Sequence, residues 1–144
     1  MKKEHILVER TFDVTVDKAW SAITDASEMK KWYFDIENFE PKVGAKFDFM
    51  GGPDNGTQYL HLCEVTEVVE NEKFAHTWRY DNYPGNSTVC WQLIDKGEKT
   101  IVRLTHADLQ TLAEGGPDFA KENFAEGWNY ILHTSLKKYL EESN

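Results

Sequence analysis

The feature that most constrains the fold is a series of short segments with apolar residues at every second position. This period is typical of β-strands with one buried face. Clusters rich in Gly, Pro, Asn and Asp separate the segments, as at Gly51-Gly52-Pro53-Asp54-Asn55-Gly56 and Tyr83-Pro84-Gly85-Asn86. Short turns of this kind join antiparallel neighbours, so an antiparallel meander is predicted. Its strands are expected at 45–49, 58–69, 73–80, 87–94 and 100–106.

The start of the chain predicts one further strand and two short helices. Residues 4–13 alternate in the same way, with Arg10 in the apolar phase. Thr15 is a residue type that caps helices, and it precedes the first helical pattern. Asp25-Ala26-Ser27-Glu28 has the spacing of a capping box, which opens a second helix through Trp32.

The C-terminal part changes to helical spacing. Pro117 is suited to the first position of a helix, and we expect one long helix from there. Gly127 lies inside it and costs about 1 kcal/mol relative to Ala, so we expect a close approach of helix to sheet to require it. The apolar face recurs at three- and four-residue intervals: Phe119, Phe124, Trp128, Ile131, Leu132, Leu136, Tyr139 and Leu140.

This order of elements predicts a single α+β domain over 1–144, in which a curved antiparallel sheet of about six strands wraps one long C-terminal helix. Two short helices do not close such a sheet completely, which predicts an enclosed apolar cavity on the order of a few hundred Å³. Aromatic residues make up 13% of the chain and supply rings for its wall. The residues expected to line it are Arg10, Trp32, Phe47, Phe49, Tyr59, His61, Trp78, Tyr80, Trp91, His106, Phe124, Trp128 and Ile131.

Three of these residues are polar in an apolar phase. Arg10, His61 and His106 need partners if they are buried. Internal carboxylates are one set of partners, and a polar group on a bound molecule is the other.

Charge and cysteine content exclude several classes of function. A formal net charge of −9 repels phosphate backbones and anionic lipid heads, so neither nucleic acid nor a membrane surface is an expected partner. The first residues lack the apolar core of a signal peptide, and no window is long and apolar enough to span a membrane. Two cysteines make no disulfide framework. The cytoplasm is the expected location.

Catalytic and metal chemistry receive little support. His61 and Cys63 share one strand face, and His76 or Cys90 lies on neighbouring strands, but paired metal-binding motifs are missing from the sequence. Neither cysteine precedes a helix N-terminus that would activate it. We therefore expect no metal and no cofactor. An enzyme is less favoured than a binding protein, although acid–base chemistry involving Arg10, His61, Glu64 and His106 stays open.

Several segments in this order resemble the START-like helix-grip (SRPBCC) superfamily, in the branch of the C-terminal domain of activators of the heat-shock-protein-90 ATPase. The resemblance covers nearly the whole chain. Its segments are Val16-Asp17-Lys18-Ala19-Trp20, Lys31-Trp32-Tyr33, Val43-Gly44-Ala45-Lys46-Phe47, Lys73-Phe74-Ala75-His76-Thr77-Trp78, Thr100-Ile101-Val102-Arg103-Leu104-Thr105-His106 and Phe124-Ala125-Glu126-Gly127-Trp128.

The resemblance implies the fold more strongly than the activity. It implies a carrier or sensor of a small hydrophobic molecule such as a lipid, polyketide or flavonoid. A co-chaperone that binds and stimulates a heat-shock ATPase is the alternative. A cyclase or hydrolase acting on a bound molecule is the second alternative.

Overall fold

The structure is a computed structural model that describes residues 4–36, 39–52 and 56–142. Its central element is a six-stranded antiparallel sheet. The strand order of this sheet is β1-β6-β5-β4-β3-β2. Strands that follow one another from β2 to β6 are therefore neighbours, and β1 pairs with the last strand, β6. The alternating pattern identified all six, because alternate residues are buried along β1, β2, β5 and β6 and along parts of β3 and β4. The strands are β1 (Ile6–Phe12), β2 (Lys46–Gly51), β3 (Tyr59–Val69), β4 (Lys73–Tyr80), β5 (Ser87–Asp95) and β6 (Thr100–Ala107).

The helices lie before and after the meander. The last three helical segments follow one another without a break and are called here the C-terminal helix, which contains a π-helical turn. The segments are α1 (Val16–Thr24), α2 (Ala26–Trp32), α3 (Leu109–Ala113), a 3-10 turn (Pro117–Phe119), α4 (Lys121–Tyr130), the π-helical segment (Ile131–Leu136) and α5 (Lys137–Glu142). The predicted α+β helix-grip architecture is confirmed.

The cap predicted for α2 forms, but only in part. The Asp25 carboxylate accepts a hydrogen bond from the backbone N–H of Ser27 at 2.9 Å. Glu28 accepts instead from the Tyr139 hydroxyl at 2.7 Å, and so joins α2 to α5. Thr15 precedes α1, but its side chain makes no capping hydrogen bond.

Two features between β6 and the C-terminal helix differ from the sequence prediction. The short helix α3 was not predicted, and it packs beside the turn after β4. A Cβ on Gly85 would overlap the carbonyl oxygen of Thr111 in α3, and Gly85 has a φ of +99°. The C-terminal helix begins at Lys121 rather than Pro117, because Ala120 is extended and separates it from the 3-10 turn.

Large aromatic rings fill the interior between the sheet and the C-terminal helix. Trp91 on β5 contacts Trp32 at a ring-centroid distance of 6.1 Å and Trp128 at 5.9 Å. Tyr33 reaches into the same space and stacks on Trp32 at 5.1 Å. The void between α2 and the sheet measures only about 10 Å³, the space of about one water molecule. The expectation of an enclosed cavity of a few hundred Å³ is therefore wrong for this interior.

In the part of the chain that the structure describes, no helix has the length and apolar character needed to cross a bilayer.

Candidate ligand-binding cleft

A cleft of about 650 Å³ opens at one end of the interior, where β2, β3 and β4 diverge from α4. This volume falls within the usual range of small-molecule sites. The cleft is open to solvent on one side, unlike the filled interior beside it. Its described lining residues are Gly51, Gly52, Tyr59, His61, Tyr80, Asp118, Phe119, Asn123, Phe124, Glu126, Gly127 and Tyr130.

Aromatic rings from the sheet and the helix form the walls. Phe119 packs between Tyr59, at 4.9 Å, and Tyr80, at 4.6 Å. Phe124 lies 6.5 Å from the Tyr80 ring. Tyr130, further along α4, is 62% exposed at the opening. Rings held in this way present flat apolar surface to a molecule in the cleft.

A hydrogen bond closes one end of the cleft. The Tyr59 hydroxyl donates to the Asp118 carboxylate at 2.5 Å and so joins β3 to the 3-10 turn. This bond to the carboxylate is the main reason why the pKa of Tyr59 is raised. The Asn123 amide nitrogen donates to the carbonyl oxygen of Pro117 at 3.0 Å and steadies the same turn.

His61 forms part of the floor of the cleft and is uncharged at neutral pH. Its Nδ1 lies 2.9 Å from the carbonyl oxygen of Tyr59, which accepts and therefore places the proton on Nδ1. Its ring stacks on Phe49 at 4.4 Å. Burial lowers the pKa of His61 to about 4, because the charged imidazolium would lose its hydration.

Gly127 lines the cleft rather than the contact between helix and sheet. A Cβ at this position would meet no atom within 4 Å. The explanation predicted from the sequence, a close approach of the helix to the sheet, is therefore wrong. The missing side chain instead leaves space at the open side.

The structure separates the predicted site residues into groups. Those on the cleft are Tyr59, His61, Tyr80 and Phe124. Those buried in the interior, outside the cleft lining, are Trp32, Phe47, Phe49, Trp78, Trp91, His106 and Trp128. Ile131 is half-buried against the core, outside the lining. As contacts to a bound molecule, all of them stay predictions.

His106 and Arg10, expected to meet a carboxylate or a ligand, have other partners. His106 Nδ1 accepts from Trp128 Nε1 at 3.0 Å, which places the His106 proton on Nε2, 2.8 Å from the Ser87 hydroxyl. Burial lowers the pKa of His106 to about 3, with smaller contributions from the other buried histidines. Arg10 Nη1 lies 3.1 Å from Nδ1 of His133 in the π-helical segment, and neither residue is part of the described cleft lining. Neither of these hydrogen bonds uses a carboxylate.

Sequence reasoning did not identify most of the helical wall as part of a site. Phe119 was recognised only as part of an apolar helix face. Asn123, Glu126 and Tyr130 fall at three- and four-residue spacing on one side of α4, which was the only available signal. Such a polar stripe is normally a solvated surface, so only the divergence of α4 from the sheet reveals its position.

Within residues 4–36, 39–52 and 56–142, no group of three or more His, Cys, Asp or Glu side chains converges as a metal site. Burial raises the pKa of Cys63, which disfavours its thiolate.

Comparison with known proteins identifies the family. The profile described as Activator of Hsp90 ATPase homolog 1-like protein matches residues 13–141. The chain belongs to this family. The resemblance inferred from the sequence is thereby confirmed. Among curated proteins, no sequence matches the chain.

Three solved structures share the fold, and their sequence identity to this chain is 21–23%. Protein MLL2253 from Mesorhizobium loti is 23% identical with a TM-score of 0.76, over 98% of this chain and 99% of that one. CalU16 from Micromonospora echinospora is 21% identical with a TM-score of 0.73, over 96% of this chain and 77% of that one. DynU16, from the dynemicin biosynthetic locus, is 21% identical with a TM-score of 0.78, over 97% of this chain but only 48% of that one.

Proposed function

We propose that this family member binds a small hydrophobic molecule in the cleft between β2–β4 and α4, as a carrier or sensor. The observation that supports this most directly is the cleft itself, about 650 Å³ in volume and walled by aromatic rings. A site of this volume holds a molecule of several fused rings or a comparable chain.

The arrangement of polar groups is also typical of a binding site. Ligand sites combine mainly apolar walls with a few placed polar groups. Here the neutral imidazole of His61 lies at the floor, and Asp118 and Asn123 lie at one end. The similarity to DynU16, from the dynemicin locus, favours a polycyclic aromatic or polyketide-like occupant.

Titration with a library of flavonoids, polycyclic aromatics and lipids tests the proposal. A ligand that binds only the folded state raises the melting temperature as its concentration increases. Tryptophan fluorescence is a second readout, because the Trp78 ring lies 4.8 Å from His61 at the cleft floor. If no compound changes either signal, the proposal is wrong.

A matched pair of variants locates the site. Tyr130→Ala removes an exposed ring from the cleft opening and should weaken binding several-fold. Leu7→Ala removes a side chain that is 56% exposed on β1, outside the cleft, and should leave binding unchanged. Equal affinities for the two variants would place the binding site elsewhere.

The family match also supports a second candidate function, stimulation of a heat-shock ATPase. The test is the steady-state ATPase rate of a purified chaperone of that class with and without this protein. An increased rate would support this function, whereas an unchanged rate at saturating protein would remove it.

A further inference from the structure

The charged side chains in the described part of the cleft lining have one sign. Among the described lining residues, the charged side chains at neutral pH are Asp118 and Glu126, and none is Lys or Arg. His61 adds no positive charge, because burial keeps its imidazole neutral. The whole chain has a formal net charge of −9, so the long-range field has the same sign as the local one.

The same cleft presents aromatic faces to its contents. Tyr59, Tyr80 and Phe119 lie within 4.6–5.8 Å of one another, and Phe124 and Tyr130 extend this surface along α4. The face of an aromatic ring attracts a cation, more strongly where water is partly excluded. A cationic amine is therefore favoured by both the rings and the carboxylates.

An anionic molecule is disfavoured in the same cleft. Its carboxylate would lose water near Asp118 and Glu126, and no cation among the described lining residues would pair with it. The two acidic groups at the opening stay exposed, so they keep their own hydration when the cleft is empty. These two carboxylates can therefore favour a cationic ligand without lowering the free energy of unfolding by much.

We propose that the cleft selects planar aromatic molecules that bear a cationic amine and discriminates against those that bear a carboxylate. This inference rests on the proposed binding function and narrows its ligand class. It separates amine-bearing polycyclic compounds from fatty acids, which have a similar apolar area but the wrong charge.

Three compounds that share one ring system test the inference. They are 9-aminoacridine, which is cationic at neutral pH, acridine, which is mostly neutral, and acridine-9-carboxylate, which is anionic. Affinities measured by fluorescence titration should fall in that order, by about fivefold or more between cation and anion. Added salt should weaken binding of the cation, because salt screens exposed charges.

Two variants with the same change in net charge separate the local effect from the global one. Glu126→Gln should reduce the preference for 9-aminoacridine over acridine about threefold, because it removes one of the two carboxylates. Glu98→Gln, in the turn between β5 and β6 at the opposite end of the sheet, should leave this preference unchanged.

The outcomes distinguish this inference from the proposed function. Equal binding of the three compounds, or tightest binding of the anion, overturns the charge selectivity and leaves the binding function intact. Equal effects of Glu126→Gln and Glu98→Gln also overturn it. Failure of all three compounds and of the wider library removes the binding function and the inference together.

Discussion

The interior and the cleft are both lined by aromatic residues, but the interior is filled by side chains and the cleft is not. In the interior, Trp91 contacts both Trp32 and Trp128, and the void beside α2 measures about 10 Å³. In the cleft, Tyr59, Tyr80 and neighbouring rings border a space of about 650 Å³ that is open to solvent on one side. Aromatic content alone therefore does not predict a cavity.

The difference arises from how the helices are attached at the two ends. At the filled end, the Ser135 hydroxyl donates to the carbonyl oxygen of Trp32. The Tyr139–Glu28 hydrogen bond adds a second link between α2 and the C-terminal helix. At the open end, the link across the cleft is the Tyr59–Asp118 hydrogen bond, which lies at its edge. The helix is thus held against the sheet at one end and stands away from it at the other.

The largest expected effect comes from acid, and it acts on buried histidines. Burial lowers the pKa of His61 and His76 to about 4 and that of His106 to about 3, from an ordinary value of 6.5. Between these values the unfolded chain binds more protons, so the free energy of unfolding falls as the pH is lowered below 6.5. The slope should approach about 4 kcal/mol per pH unit, from about 1.4 kcal/mol for each histidine.

Urea denaturation at pH values above and below 6.5 measures this slope. His76→Gln removes one interior titrating group and keeps a side-chain N–H donor, so its slope should be about a third smaller. A free energy of unfolding that stays constant from neutral pH to moderately acidic pH would contradict the prediction.

The next largest effect is expected from substitutions that compare the interior with the cleft by their free energies of unfolding. Trp91→Ala removes a ring that is 2% exposed, and we expect a loss of about 3–5 kcal/mol in the free energy of unfolding. Tyr130→Ala removes a ring that is 62% exposed, and its effect should stay within about 0.5 kcal/mol. Urea denaturation measures both. Similar losses for the two variants would mean that the cleft walls belong to the core.

Much of the fold could be predicted from the sequence, because burial follows a fixed period along each element. Alternation identified the strands, and the Asp25 side chain caps α2 as predicted. Helix α3 has only five residues, too few to show helical spacing. The start of the C-terminal helix was placed too early, because Pro117 does begin a helical turn but Ala120 interrupts it.

The site was harder to predict, because alternation shows which face of a strand is buried but not whether that face meets a side chain or a cleft. Tyr80 and Trp78 lie on the same face of β4, yet Tyr80 lines the cleft and Trp78 does not. The path of α4 decides between the two outcomes. That path depends on contacts of Trp32 and Glu28 with the C-terminal helix that no local pattern encodes.

A smaller effect on the free energy of unfolding is expected when Tyr33 or Tyr80 is replaced by Phe. Among the residues that the structure describes, none forms a hydrogen bond with the buried hydroxyl of Tyr33, so Tyr33→Phe should increase the free energy of unfolding by about 1 kcal/mol. The Tyr80 hydroxyl accepts from Trp78 Nε1 at 3.0 Å, so Tyr80→Phe leaves that N–H unpaired. We expect a loss of about 1–3 kcal/mol there.

Thermal and urea denaturation of the two tyrosine variants give the sign of each change. Opposite signs would show that the interior contains one polar group without a partner beside one that is satisfied. Destabilisation by Tyr33→Phe would show instead that its hydroxyl has a partner in solution, such as a water molecule in the void beside it.

The smallest effect on stability is expected at Gly127. A side chain at this position favours the helix, whereas the cleft needs the space that glycine leaves. Gly127→Ala should stabilise the protein by about 0.5–1 kcal/mol, because alanine favours a helix and its Cβ meets no atom within 4 Å. Gly127→Leu should have similar stability but extend into the cleft and weaken ligand binding. Melting temperature and binding titration measured on both variants separate the two requirements. If the leucine variant binds as well as the alanine variant, Gly127 does not help to keep the cleft open.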